Sequence, residues 1–273
     1  MSKSSRAKQQ QARQKIAQAR ALEARRQRRR RWLIGGAAAV AVAAAAVGIT
    51  LAVTGGGAPA TGASAAATSR PRATASSTPA LKLAALSTLG PLGAAPDPGP
   101  AGPEGVPIPA AAPLAGTATI AQGQRVDGVG CQTSEQVLFH IHAHLTIFVH
   151  GRPRQVPAGI GIPGARAQST PQGPFIDSGT CFYWLHTHAA DGIIHTESPV
   201  QRTYTLGNFF DEWGQPLGPD QAGPAKGHVT AIYNGKVHLG SPRDIPLTKH
   251  AQIQLEVGKP LVAPESITWP SGL

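Results

Sequence analysis

Val137-Leu-Phe-His-Ile-His-Ala-His-Leu-Thr-Ile-Phe-Val149 is the stretch on which the reading of this chain turns. Val137, Phe139, Ile141, Ala143, Leu145, Ile147 and Val149 recur at every second position, the period of a strand with one face on a core. Alternate side chains of a strand share a face, so His140, His142 and His144 project together from the other side. The expectation is a half-buried strand that carries three imidazoles on a face outside the main core. His150-Gly151 follows as a turn, with Arg154–Pro157 as the return strand.

Downstream the same pattern repeats in shorter pieces. Phe182–His188 and Ile193–Glu197 flank Ala189-Ala-Asp-Gly192, and Asp-Gly is a strong hairpin signal. His228–Tyr233 and Lys236–Leu239 flank Asn234-Gly235, a second hairpin. Ile253, Leu255 and Val257 alternate with Gln252, Gln254 and Glu256 in a final strand. One short helix is expected at Leu206–Trp213, stopped by Gly214, with Phe209, Phe210 and Trp213 spaced to cover a core. Many short strands with Gly and Pro turns imply a mainly β domain over 119–273, a sandwich or barrel with one helix.

Six of the ten histidines fall in three of these strands. His186 and His188 share one face, as do His195 and Glu197. A two-residue loop at Asp191-Gly192 sets His188 opposite His195; a four-residue loop at Ala189–Gly192 sets His186 there instead. Either register gathers His186, His188, His195 and Glu197 on one surface, because directly opposed residues share a face. Only a three-residue loop separates them. Three histidines and a carboxylate are a ligand set for a divalent transition metal. His140, His142 and His144 are further candidate ligands to the metal. The bland alternative is a polar or pH-sensitive histidine face. Met1 is the only methionine, so thioether ligands are absent from the domain, and an imidazole-rich set suits zinc or copper, with nickel and iron also open. Asp191 reads as a turn former rather than a base.

Cys131 and Cys181 precede the two histidine regions. In a regular strand the Cys181 sulfur points away from the histidine face, which favours a Cys131–Cys181 disulfide over thiolate ligands. Such a bridge ties the two histidine-bearing elements together.

The first 118 residues differ in kind. Residues 1–31 hold twelve of the 25 Lys and Arg and one acid, Glu23; the rest of the chain carries 13 basic and 13 acidic groups. The basic pI therefore belongs to the tail, and no basic patch outside it points to nucleic acid. Trp32–Val53 is a 22-residue uncharged run, long enough to span a bilayer. Arg28–Arg31 abuts its start, which sets the tail in the cytoplasm and the remainder outside. A cleaved signal peptide and a twin-arginine signal are the alternatives. Residues 54–118, rich in Ala, Pro, Gly, Ser and Thr, read as a disordered tether.

The domain resembles a family of His-rich, membrane-anchored extracytoplasmic proteins of actinobacteria that has no assigned activity. The resemblance rests on His140-Ile-His-Ala-His-Leu145, Val156-Pro-Ala-Gly-Ile-Gly-Ile162, Trp184-Leu-His-Thr-His188 and Gly192-Ile-Ile-His-Thr-Glu197, and continues through Tyr204-Thr-Leu-Gly207 and Phe209-Phe-Asp-Glu-Trp-Gly-Gln-Pro216. It covers about residues 128–273 and implies no chemistry. Where an Asn-Gly turn is expected, this chain has His150-Gly151. Three functions are consistent with these residues: a metal-binding module at the cell surface, a metalloenzyme with a three-His-one-Glu site, and a metal-free envelope module.

Overall fold

The computed structural model describes residues 81–273. The expected cytoplasmic tail (1–31), membrane helix (32–53) and first part of the tether (54–80) lie outside the described residues. Among the described residues, no helix is long and apolar enough to cross a membrane.

In chain order the strands are β1 (Leu83–Ala84), β2 (Cys131–Gln132), β3 (Phe139–Val149), β4 (Arg152–Arg154), β5 (Arg166–Thr170), β6 (Gly173–Ser178), β7 (Phe182–Tyr183), β8 (Leu185–His186) and β9 (Ile193–Ser198). Helix α1 (Leu206–Trp213) follows, then β10 (Leu217–Gly218), β11 (Gln221–Ala222), β12 (Ala225–Lys226), β13 (Val229–Tyr233), β14 (Lys236–His238) and β15 (Ala251–Val257). Eight of them form one sheet in the order β1-β14-β13-β15-β3-β9-β8, with β4 also paired to β3. The ladder ends at β1 and β8, which do not pair with each other. The domain is mainly β as expected, but this sheet is open rather than closed into a barrel.

β3 is the central element because it is long and β-branched or aromatic where it needs to be. It pairs in parallel with β15 from Ala251↔Ala143 to Val257↔Val149, and antiparallel with β9 from Phe139↔Ser198 to His144↔Ile193. The His150-Gly151 turn takes positive φ at both residues (52° and 71°), the backbone a two-residue hairpin demands. Histidine thus does here what asparagine does elsewhere, and the return strand begins two residues earlier than expected, as β4. Asn234-Gly235 likewise has φ of 49° and 74° and joins β13 to β14.

Ala143, Leu145 and Ile147 are each 1% exposed and belong to the main core, with Ile253 and Leu255 of β15 and Phe209, Phe210 and Trp213 of α1. α1 starts as a capping box, in which the Thr205 hydroxyl accepts from Asn208 N–H and the Asn208 side chain accepts from Thr205 N–H. It stops at Gly214 in the left-handed conformation, where an added Cβ would lie 2.1 Å from the Thr119 carbonyl oxygen.

The expectation of a half-buried sheet is corrected. His142, His144, Phe148, Gln254 and Glu256, on the opposite face, are also buried. Two segments cover that face. One is the C-terminal stretch, docked by side chain to backbone: Val262 N–H donates to Glu256 (3.2 Å), Glu265 N–H to Gln254 (2.8 Å) and Ile267 N–H to Gln252 (2.8 Å). The other lies within the expected tether. β1 pairs with β14, Gly93 bridges Val262, Val106 is fully buried, and Leu114 N–H donates to Gln155 O at 2.9 Å. Residues 81–118 are therefore part of the fold. Their Pro and Gly content reflects a chain that follows a surface, with Val106 buried and Leu114 packed into the main core. Between cover and sheet remains a small cavity of about 30 Å³, lined by Pro98, Pro107, Pro109, His144, Thr146 and Phe148 among others.

Candidate metal centre

The hairpin that carries the second histidine set has Leu185 opposite Thr196 and His186 opposite His195, the four-residue-loop register. His142 lies opposite His195 on the other side. β3, β9 and β8 thus form a rung His142–His195–His186, flanked by the pair His140–Glu197. His188 lies just past β8 but points the same way: its Nε2 is 3.1 Å from Nε2 of His186. Two overlapping donor groups result, His140/His142/His195/Glu197 and His186/His188/His195/Glu197, with the ligand atoms of each group within 4.8 Å of one another. All of these residues are buried except His140, whose side chain is 34% exposed.

Turn chemistry holds the hairpin in register. Asp191 accepts from Ile193 N–H (3.1 Å), and Gly192 has φ of 82° with its backbone so close to β3 that a Cβ would lie 2.2 Å from Leu145 O. His144 belongs to this latch and to neither donor group. Its Nε2 lies 2.9 Å from the Asp191 carbonyl oxygen, and since a carbonyl only accepts, that nitrogen carries the proton. Burial lowers the His144 pKa to about 4, so the ring is neutral. The sequence reading of His144 as a possible ligand gives way to a structural role: it sits beside the turn, opposite Ile193, one register step beyond the cluster.

Hydrogen bonds fix the tautomers of two further rings. His186 Nδ1 donates to Tyr183 O (2.8 Å), and His188 Nδ1 donates to Ile176 O. Burial lowers the pKa of both rings, for His188 to about 4, so each is neutral and has its only proton on Nδ1. Both Nε2 atoms are therefore bare lone pairs, 3.1 Å apart. Histidines that bind metal ions characteristically anchor the far nitrogen in this manner.

His195 is held by two carboxylates. Its Nε2 lies 2.8 Å from Glu104 Oε1, and its Nδ1 is 3.7 Å from Glu197 Oε1. Burial opposes charge on this ring, but Glu104 and then Glu197 outweigh it and raise its pKa to about 10. Nδ1 itself is buried without a hydrogen-bond partner, as is Glu197 Oε2. Burial pushes the Glu197 carboxyl up, yet His140 and His195 together hold it well below the usual range. His140 Nε2 lies 3.0 Å from both Glu197 Oε1 and His142 Nε2.

Two residues escaped the sequence reading. Glu104 sits in the segment expected to be a tether, and its only signal was that it is one of two acids, with Asp97, in residues 54–118. Glu135, 37% exposed at the rim, lies 3.5 Å from His188 Nε2, and burial followed by the neighbouring Glu197 raises its pKa to about 7. Of the remaining histidines, His238 Nε2 bonds Ser241 O, His250 Nε2 bonds Leu273 O, and His228 is exposed.

Cys131 and Cys181 form a disulfide with Cα atoms 5.6 Å apart, next to the β2–β7 pair. The strand expected over Phe182–His188 is broken at Trp184 into β7 and β8, so the bridge does not depend on strict alternation.

Comparison of the chain with family models, with curated proteins and with solved structures gave no match. The functional reading rests on the site itself.

Proposed function

We propose that the domain binds a divalent transition metal ion, zinc or copper, through His186, His188, His195 and Glu197. One observation carries this reading: the buried rings of His186 and His188 bring their Nε2 atoms to 3.1 Å, while backbone carbonyls accept both Nδ1 protons and leave each Nε2 as the donor atom. Without a cation between them, two lone pairs at that distance repel. With donors about 2.0–2.1 Å from a tetrahedral ion, neighbouring nitrogens lie about 3.3 Å apart. The Glu104–His195 contact is the carboxylate–histidine arrangement that orients a ligating ring.

The proposal extends to place. Trp32–Val53 anchors the chain in the membrane with the tail inside and the domain outside, and the disulfide is consistent with an oxidising compartment. Sequestration, delivery or sensing of metal at the cell surface follows as the role, in keeping with the resemblance to His-rich extracytoplasmic proteins. A metal-free reading competes on one observation, that Glu104 and Glu197 can hold His195 as an imidazolium.

Elemental analysis separates the two. The full-length chain, purified in detergent and dialysed, is expected to retain stoichiometric metal, and its thermal midpoint is expected to fall with chelator and recover with zinc or copper. Absence of stoichiometric metal, together with no shift on adding either ion, overturns the proposal.

A further inference from the structure

We infer that the cluster is a two-ion centre, with Glu197 as the bridge between an inner position at His186/His188/His195 and an outer position at His140/His142. This rests on the metal-binding reading above and extends it to a second site. Six donors are available, but they fall into two groups rather than one, and donors on a single ion at about 2.0–2.2 Å are at most about 4.4 Å apart. The same local geometry also repeats on both sides of β9. His140 and His142 present Nε2 atoms 3.0 Å apart, as His186 and His188 do at 3.1 Å. Each pair comes from i and i+2 positions on a segment that flanks β9, and β9 supplies the two shared residues, His195 and Glu197.

Glu197 Oε1 lies 3.0 Å from His140 Nε2 and 3.7 Å from His195 Nδ1, between the outer pair and the inner ring, whereas Oε2 is buried with no hydrogen-bond partner. With Oε1 between the two positions and Oε2 uncommitted, this carboxylate can span two ions at the roughly 3.5–4 Å separation of paired metal sites. Exposure then distinguishes the positions. The inner donors are buried, whereas the His140 side chain is 34% exposed, so the outer ion has solvent on one side and two histidines and a carboxylate oxygen on the other. It is the more weakly held ion, and water completes its coordination.

The test uses the full-length chain in detergent, stripped with chelator and titrated with Co(II), with bound metal counted by elemental analysis and followed by electron paramagnetic resonance. Two equivalents per chain are expected, the second binding at least about tenfold more weakly. The signal from the first equivalent is expected to diminish as the second binds, through coupling across the bridge. His140→Ala with His142→Ala is expected to lower the stoichiometry from two to one and abolish that attenuation. Saturation of the wild-type chain at one equivalent, or an unattenuated signal at two, overturns the two-ion centre and leaves the single site standing. Zero equivalents overturns both readings. The wild-type titration needs no variant, so a variant that fails to fold does not blunt the test.

Discussion

Single carboxylates decide two measurable properties of this domain. Glu104 belongs to neither donor group; it holds His195 through Nε2 and leaves Nδ1 turned to Glu197. Partners of ligating histidines are typically worth 10–100-fold in metal affinity. Glu104→Gln is therefore expected to weaken zinc binding by about that factor while the fold, read by circular dichroism, is retained; unchanged affinity in a competition assay would remove Glu104 from the site. Glu256 acts on stability instead. It is fully buried, accepts hydrogen bonds from Gln254 and Val262 on one oxygen, and has no partner on the other. Burial raises its pKa from 4.5 to about 7. The folded state then binds the proton more tightly than the unfolded chain, so stability is full below about pH 4.5 and falls as pH rises to about 7. The loss is on the order of 3 kcal/mol. Glu256→Gln is expected to be more stable than wild type at pH 8, with the difference shrinking toward pH 5 in urea unfolding. A constant difference at both pH values would contradict this.

Among the elements, those with local chemistry were legible. α1 is bounded in the structure as its periodicity and Gly214 imply, and β13–β14 follows from Asn234-Gly235. Because the Thr205 cap makes both bonds of a capping box, Thr205→Ala is expected to cost about 1 kcal/mol and lower the thermal midpoint by about 2–4 °C. A calorimetric midpoint within 1 °C of wild type would mean the helix is held by packing alone. The hairpin register was narrowed to two cases, because period 2 leaves parity readable but not loop length. What stayed hidden was long-range. Nothing local in β15 announces that it pairs in parallel with β3, and β5, with four of its five residues exposed, has no hydrophobic alternation to show. Likewise His140 and His142 share a face with His144 by spacing, yet only the pairing with β9 separates the first two, opposite Glu197 and His195, from the third, opposite Ile193. The Cys131–Cys181 bridge spans 50 residues and joins these elements, so its reduction is expected to cost on the order of 4 kcal/mol by the chain-entropy argument. Thermal unfolding with and without a reducing agent measures it.

At the scale of the whole molecule, the cover over the histidine face is the feature that composition concealed. A segment rich in Pro, Ala and Gly has little apolar surface and a large ordering entropy, which is why residues 81–118 read as a tether. The sheet changes that balance, since its even face offers Phe148 and the polar side chains of β15 as an existing surface, and proline has less entropy to lose on docking. The segment in turn brings Val106 and Leu114 into burial and delivers Glu104 to His195. Fold and site therefore depend on the same segment. A chain cut to begin at Thr119 loses β1, the N-terminal segment of the cover and Glu104 together, whereas one cut to begin at Leu81 keeps all three. The longer chain is expected to unfold cooperatively with a midpoint near that of the full-length protein. The shorter one is expected to unfold at least about 10 °C lower, since a change of 1 kcal/mol moves the midpoint of a domain this size by about 2–4 °C and several buried contacts are lost at once. It is also expected to bind zinc at least as weakly as the Glu104→Gln variant, because it loses the whole residue that holds His195. Equal stability and equal zinc affinity in the two cut chains would return residues 81–118 to the role of a tether and leave the site to the β3–β9–β8 face alone.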